Sequence, residues 1–365
     1  MSRMVGIMRG NMVNGQTSQR STLGVVCHAA RTLKVEPVPV PDIGDSQVEL
    51  AIAAGGICGS DLHYYLDGRI GAIEVRQPFV LGHEFSATVT AIGRAVTALQ
   101  IGDRVAVNPA RACGTCRYCQ AGLQIHCLDM LFYGSAMRFP HVSGGFRQVL
   151  MAEATQCEKL PADFSLAKAA FAEPLAVCLH AVERAGPLAG RRVLVTGCGP
   201  IGALTILAAR HAGAGEITVT DVSDSAIAIG LKIGADAAIN VARQPERLAA
   251  FSANKGTFDV VFECSGHQAA IRSAMDAIKP RGILVLVGLG GETQVMINTI
   301  VAKEIDVRGT FRFGNEFQTA VQALVSGRID PMPLLTEIIP FREAQRAFDL
   351  AADRSRAMKV QLAFA

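Results

Sequence analysis

Residues 191–215 read RRVLVTGCGPIGALTILAARHAGAG, a β-branched run that passes through a glycine turn into an apolar helical stretch. Gly197, Gly199 and Gly202 stand at that junction in a G-x-G-x-x-G spacing. Few folds can use this order. Gly197 permits a tight turn, Gly199 lets a pyrophosphate approach the backbone, and Gly202 lets helix and strand pack closely. Pro200 and Ile201 open the helix, whose N-terminus favours anions. The next β-branched run, EITVTD, ends on Asp221, whose carboxylate can accept bonds from an adenosine ribose. An acid there repels a 2'-phosphate, so NAD is expected over NADP; Lys232, a few turns on, leaves some dual use open.

The surrounding chain keeps the same rhythm. RRVLVT, EITVTD, AAIN, FDVVFE, GILVLV and DVRGTF are separated by longer helical stretches, which predicts a parallel sheet covered on both faces. A chain of 365 residues has room for a second domain with its own core. No uninterrupted apolar run approaches the ~20 residues of a membrane-spanning helix. The first 21 residues lack an apolar stretch followed by a small-residue cleavage site, so they are expected to form an N-terminal extension without an assigned role, on a cytoplasmic protein. A net charge of +3 with scattered basic residues speaks against a nucleic-acid partner.

Four of the ten cysteines fall in residues 113–127, CGTCRYCQAGLQIHC. A disulfide staple, a redox pair and a metal site all compete for such a cluster. In a reducing compartment clustered cysteines bind metal more often than they pair, and Cys113, Cys116, Cys119 and Cys127 can wrap one zinc ion tetrahedrally. With no position open for substrate, that site would be structural. A sparser set lies upstream: Cys58, Ser60, Asp61 and His63 in GGICGSDLHYYLDG, then His83 and Glu84 in VLGHEF. A thiolate, an imidazole and a carboxylate of this kind suit a zinc ion that keeps one position open for catalysis.

With these motifs the sequence resembles the zinc-dependent medium-chain alcohol and polyol dehydrogenases from about Thr22 to its end. The segments GGICGSDLHYY, FVLGHE, FYGSAMRFPHVSGGF, AFAEPLAV, FECSGH and GTFRFGNEF carry the likeness, on the sugar-acid side of the family near the sorbitol dehydrogenases. The resemblance implies an α/β plus β fold: a GroES-like β-barrel catalytic domain (22–172 and 313–365, with a structural zinc lobe at 108–130) and a Rossmann doubly wound parallel-sheet domain (173–312). It implies a catalytic zinc on Cys58 and His83, with Glu84 added and Glu173 serving as a ligand or as partner of the metal-bound water. Many alcohol dehydrogenases have Cys where Glu173 stands, so the chain departs toward the polyol pattern.

Zinc would polarise a substrate hydroxyl while NAD takes the hydride. Ser60, two residues past Cys58, is placed to receive the hydroxyl proton, and His63 to pass it on. The implied substrate is a sugar acid, L-idonate oxidised to 5-ketogluconate, or a neutral polyol such as sorbitol or xylitol. Arg312 matches an arginine that polyol members place near substrate; Arg138 and Tyr64 are further substrate candidates. Expected cofactors are two Zn2+, one catalytic and one structural, and NAD; the expected assembly is a homotetramer or homodimer without membrane contact.

Overall fold

The computed structural model describes residues 20–364, so most of the expected extension, 1–21, lies outside the described residues. The catalytic half is built on a seven-stranded sheet centred on Gln47–Gly56. That strand alternates inward and outward, sending Val48, Leu50, Ile52 and Ala54 inside. Glu84–Ile92 and Lys359–Ala363 flank it antiparallel, with Gly56 opposite both Glu84 and Gln361. A strand near each end of the chain thereby closes around the same residues. Thr32–Pro39, Ser21–Ala29 and Phe79–Val80 form a smaller three-stranded sheet over the same core.

The nucleotide-binding half contains six strands: β1 (Arg192–Thr196), β2 (Glu216–Asp221), β3 (Ala237–Asn240), β4 (Phe258–Glu263), β5 (Ile278–Leu286) and β6 (Asp306–Gly309). Every pairing is parallel and the order is β3-β2-β1-β4-β5-β6, the doubly wound arrangement expected from the sequence. Val193 and Val195 face one hydrophobic cluster and Leu194 the other, so helices can cover both sides. Two strands differ from the periodicity. β5 begins four residues before GILVLV, entering through a register shift opposite Phe258 and Val260 that no apolar pattern records. β6 ends at Gly309, two residues before DVRGTF does, because the chain then leaves the sheet toward Arg312.

Three helices position the site. α1 (Gly59–Asp67) follows the central barrel strand, α2 (Ala172–Ala185) joins the halves, and α3 (Pro200–His211) follows β1. α2 runs straight through the 172/173 boundary expected from the sequence, carrying Glu173 in its first turn. Phe313, Phe317, Ala320 and Leu324 pack in the cluster shared with β1 and α3, so the chain rejoins the barrel sheet only at Leu335–Pro340. None of the described helices is long and apolar enough to cross a membrane.

Candidate active site

Cys58 caps the N-terminus of α1, and His83 and Glu84 open the neighbouring strand. Ligand atoms of these three lie within 4.8 Å of one another. Asp61 links the two segments from behind. Its fully buried carboxylate accepts the Cys58 amide at 3.0 Å and the Gly82 amide at 3.1 Å, and Oδ1 stands 3.7 Å from His83 Nδ1. The sequence offered Asp61 among the metal-ligand types, whereas the fold sets it behind His83, where it can orient the ring. Ser60 Oγ lies 3.5 Å from the other imidazole nitrogen, Nε2. His63 turns outward instead, its Nδ1 3.3 Å from Asp67 at the surface.

No motif in the sequence marks Lys359, which lies in the plain stretch RAMKVQLAFA. It reaches in from the closing barrel strand, fully enclosed, and donates to Glu84 Oε1 at 2.7 Å and to the Ile57 carbonyl at 3.0 Å. Gly56 is required opposite, because a Cβ there would collide with the Glu84 carboxylate. Burial raises the Glu173 pKa to about 7, although His83 opposes the shift. For His83 burial acts downward, yet Asp61 and Cys58 outweigh it and hold the imidazole well above its usual range. The Cys58 thiol and the carboxylates of Asp61, Glu84 and Glu173 thus outnumber the cations His83 and Lys359. Such a donor set fits a dication.

The four-cysteine lobe has little regular structure, only Arg117–Gln120 and the short turn Gln124–His126. Its thiols converge. Cys119 Sγ lies 3.5 Å from that of Cys116 and 4.0 Å from that of Cys113, close to the ~3.8 Å edge of a tetrahedron with ~2.3 Å zinc–sulfur bonds. The Cys113 and Asp129 amides donate to Cys127 Sγ, and the Cys116 amide to Cys113 Sγ. Hydrogen bonds led by the Thr115 backbone bring the Cys113 pKa down to about 6, toward the thiolate a metal requires.

Beside this lobe a cavity of about 170 Å³ is lined by Phe132, Ser135, Met137, Arg138 and Arg312 among others. Arg312 adopts a left-handed backbone, φ 52°, a conformation that side chains other than glycine rarely hold. Its guanidinium lies over Phe132 at 4.0 Å and Phe311 at 4.9 Å. The Phe132 ring in turn stands 5.6 Å from that of His83, so one aromatic side chain separates Arg312 from the candidate ligands. Arg138 is tied to Asp129 at 2.8 Å. Tyr64 is buried edge-on to Phe79, and its hydroxyl accepts the Ala136 amide, fixing the loop that forms the cavity wall.

At the tip of β1, Gly197 takes φ 84°, and a Cβ on Gly202 would strike the Gly197 carbonyl. Pro200 is the first residue of α3, with Gly199 as its cap and Ile201 and Gly202 following. Asp221 braces the turn through the Cys198 amide at 2.6 Å and the Ser223 amide at 2.8 Å. The residues directly after Asp221, Val222 to Ala226, include no Arg or Lys, but the fold brings Arg243 close from beyond β3, paired to Asp224 at 2.8 Å. The glycine cradle fits a dinucleotide.

A dinucleotide cradle beside a buried dication site with an adjoining cavity suits hydride removal from a polarised hydroxyl. Comparison with known families agrees: residues 44–162 match the alcohol dehydrogenase GroES-like domain and residues 200–326 the zinc-binding dehydrogenase domain. The chain belongs to the zinc-dependent alcohol and polyol dehydrogenases. Among its relatives, the L-idonate 5-dehydrogenase (NAD(P)(+)) of Escherichia coli K12 is 42% identical over 347 residues, 95% of this chain and 100% of the relative. The crystal structure of L-idonate 5-dehydrogenase from the same species superposes with a TM-score of 0.91, covering 94% of this chain and 99% of that one at 42% identity. The sorbitol dehydrogenase of Bacillus subtilis is 35% identical over 351 residues, 95% of this chain and 98% of its own.

Proposed function

We propose that this dehydrogenase oxidises the C5 hydroxyl of L-idonate to the ketone of 5-ketogluconate, with NAD as the acceptor. The observation that carries the reading is Arg312, a guanidinium one ring away from His83 at the wall of the substrate-sized cavity. Likeness to the Escherichia coli enzyme supports it. Cys58 and His83 hold the catalytic zinc, with Glu84 or Glu173 completing its ligands, and the four-cysteine lobe holds the structural ion. The catalytic ion supplies Lewis-acid polarisation of the hydroxyl, while nicotinamide supplies the hydride acceptor. Ser60 Oγ, beside His83, would relay the hydroxyl proton by accepting it while releasing its own toward His63, which sits on the exposed face of α1 and can pass a proton to solvent. Asp61 keeps His83 aimed, Tyr64 holds the cavity wall, and Arg138 braces it through Asp129.

A carboxylate entering this cleft loses hydration that Arg312 can replace bidentately. Arg312→Met is therefore expected to lower kcat/KM for L-idonate about 100-fold and for sorbitol about tenfold or less, read as NADH absorbance. Equal losses would assign Arg312 to hydroxyl binding and favour a neutral polyol as substrate. For the cofactor, Asp221 repels a 2'-phosphate and Arg243 is already neutralised by Asp224. Asp221→Ala should narrow the NAD-over-NADP ratio of kcat/KM by about tenfold. A ratio that does not move would place the preference elsewhere.

The assembly is proposed to be a homodimer or a pair of dimers. β6 is a sheet edge bearing exposed Val307, near exposed Leu289, Ile297 and Val301, and antiparallel pairing of two copies about Val307 would set Asp306 opposite Arg308. A single-chain mass by light scattering would overturn it. A cytoplasmic location is supported by ten unpaired cysteines, and fractionation with exported proteins would oppose it.

A further inference from the structure

The turn between the helix Ala344–Ala352 and the closing barrel strand Lys359–Ala363 carries an arginine that the site described above does not use. Its backbone is well fixed. Asp353 Oδ1 accepts the Ser355 amide at 3.1 Å and the Ser355 hydroxyl at 2.6 Å, and the Asp353 carbonyl accepts the Arg356 and Ala357 amides. Arg354 extends from this turn across the cleft. One guanidinium nitrogen lies 3.7 Å from where a Cβ would stand on Gly199, and the other 3.8 Å from the same point on Gly59. It therefore spans the N-termini of α3 and α1, touching the two residues there that have no side chain.

Several exposed arginines are answered by carboxylates, among them Arg94 by Asp45, Arg243 by Asp224, and Arg346 by Glu337 and Glu343. Arg354 is exposed, among the described residues no carboxylate pairs with it, and Asp353 beside it is occupied by Ser355. A guanidinium carried on a held turn and lying over a glycine cradle is matched to a diphosphate, whose paired anionic oxygens it can grip in fork geometry. We infer that Arg354 is a cofactor-binding residue that clamps the pyrophosphate of the nicotinamide dinucleotide from the barrel side, while the α3 N-terminus holds it from the other. The inference rests on the assignment of the glycine turn as the dinucleotide site. It makes cofactor affinity depend on both halves of the chain, since the same segment five residues later supplies Lys359 to Glu84.

Binding to the zinc-loaded enzyme tests this without turnover. NADH is followed by nicotinamide fluorescence, and ADP-ribose and adenosine by competition. Arg354→Met is expected to weaken NADH and ADP-ribose about tenfold at low salt and to leave adenosine unchanged, because only the first two contain the diphosphate. Arg354→Lys should recover part of the loss, as a point charge without the fork. Asp221→Ala should show the other pattern, weakening adenosine too. Unchanged NADH affinity in Arg354→Met, or equal losses for ADP-ribose and adenosine, would overturn the inference and leave the cofactor site standing. A wild-type enzyme that binds neither NADH nor ADP-ribose would overturn the cofactor site and this inference with it.

Discussion

Cys58→Ser is expected to leave one zinc ion per chain where the wild type binds two, and to lower kcat by about 10³-fold or more. The size follows from the several kcal/mol that metal polarisation contributes at a reacting oxygen, with each ~1.4 kcal/mol worth tenfold in rate. The loss should be confined to chemistry. In the capping box of α1 the Cys58 side chain faces the Asp61 amide while Asp61 accepts the Cys58 amide; a serine hydroxyl can take the place of the sulfur there, so melting temperature should change little. NADH affinity should also persist, because neither the glycine turn braced by Asp221 nor the Arg354 turn contacts the Cys58 sulfur. Elemental analysis, titration with NADH and steady-state rates on one preparation decide the matter. Two zinc ions retained at full activity would remove Cys58 from the metal centre.

Cys116→Ser is expected to do the reverse: to remove the other zinc and lower the melting temperature by about 5–10 °C. The lobe has little else to hold it together. Leu123 and Leu128 are exposed, and its helix is a single turn. Because Cys127, Leu128, Met130 and Phe132 also line the Arg312 cavity, loosening the lobe should raise KM for substrate more than it lowers kcat. A disulfide in place of metal predicts no zinc in the lobe and sensitivity to reductant. Unchanged zinc content and melting temperature in the variant would exclude the structural-metal role.

The two devices that read clearly from the sequence are local. Cys113, Cys116, Cys119 and Cys127 lie within fifteen residues, and the turn from β1 into α3 occupies one continuous stretch, so spacing alone constrains their geometry. Strands β2, β3 and β4 begin and end where EITVTD, AAIN and FDVVFE do, because β-branched runs bounded by polar residues specify burial over a few residues. Resemblance to a family added Glu173 and Arg312, which no local pattern marks. Tertiary structure alone decided the rest. Lys359 meets Glu84 across 275 positions because the last strand closes on Gln47–Gly56; Asp61 turns behind His83 because its carboxylate ties together two segments; Arg312 reaches the metal side by stacking on Phe132. Sequence periodicity says which face of an element is buried, but the partner that a buried charge meets is set by which strands pair and in what register, and that is a property of the assembled sheet.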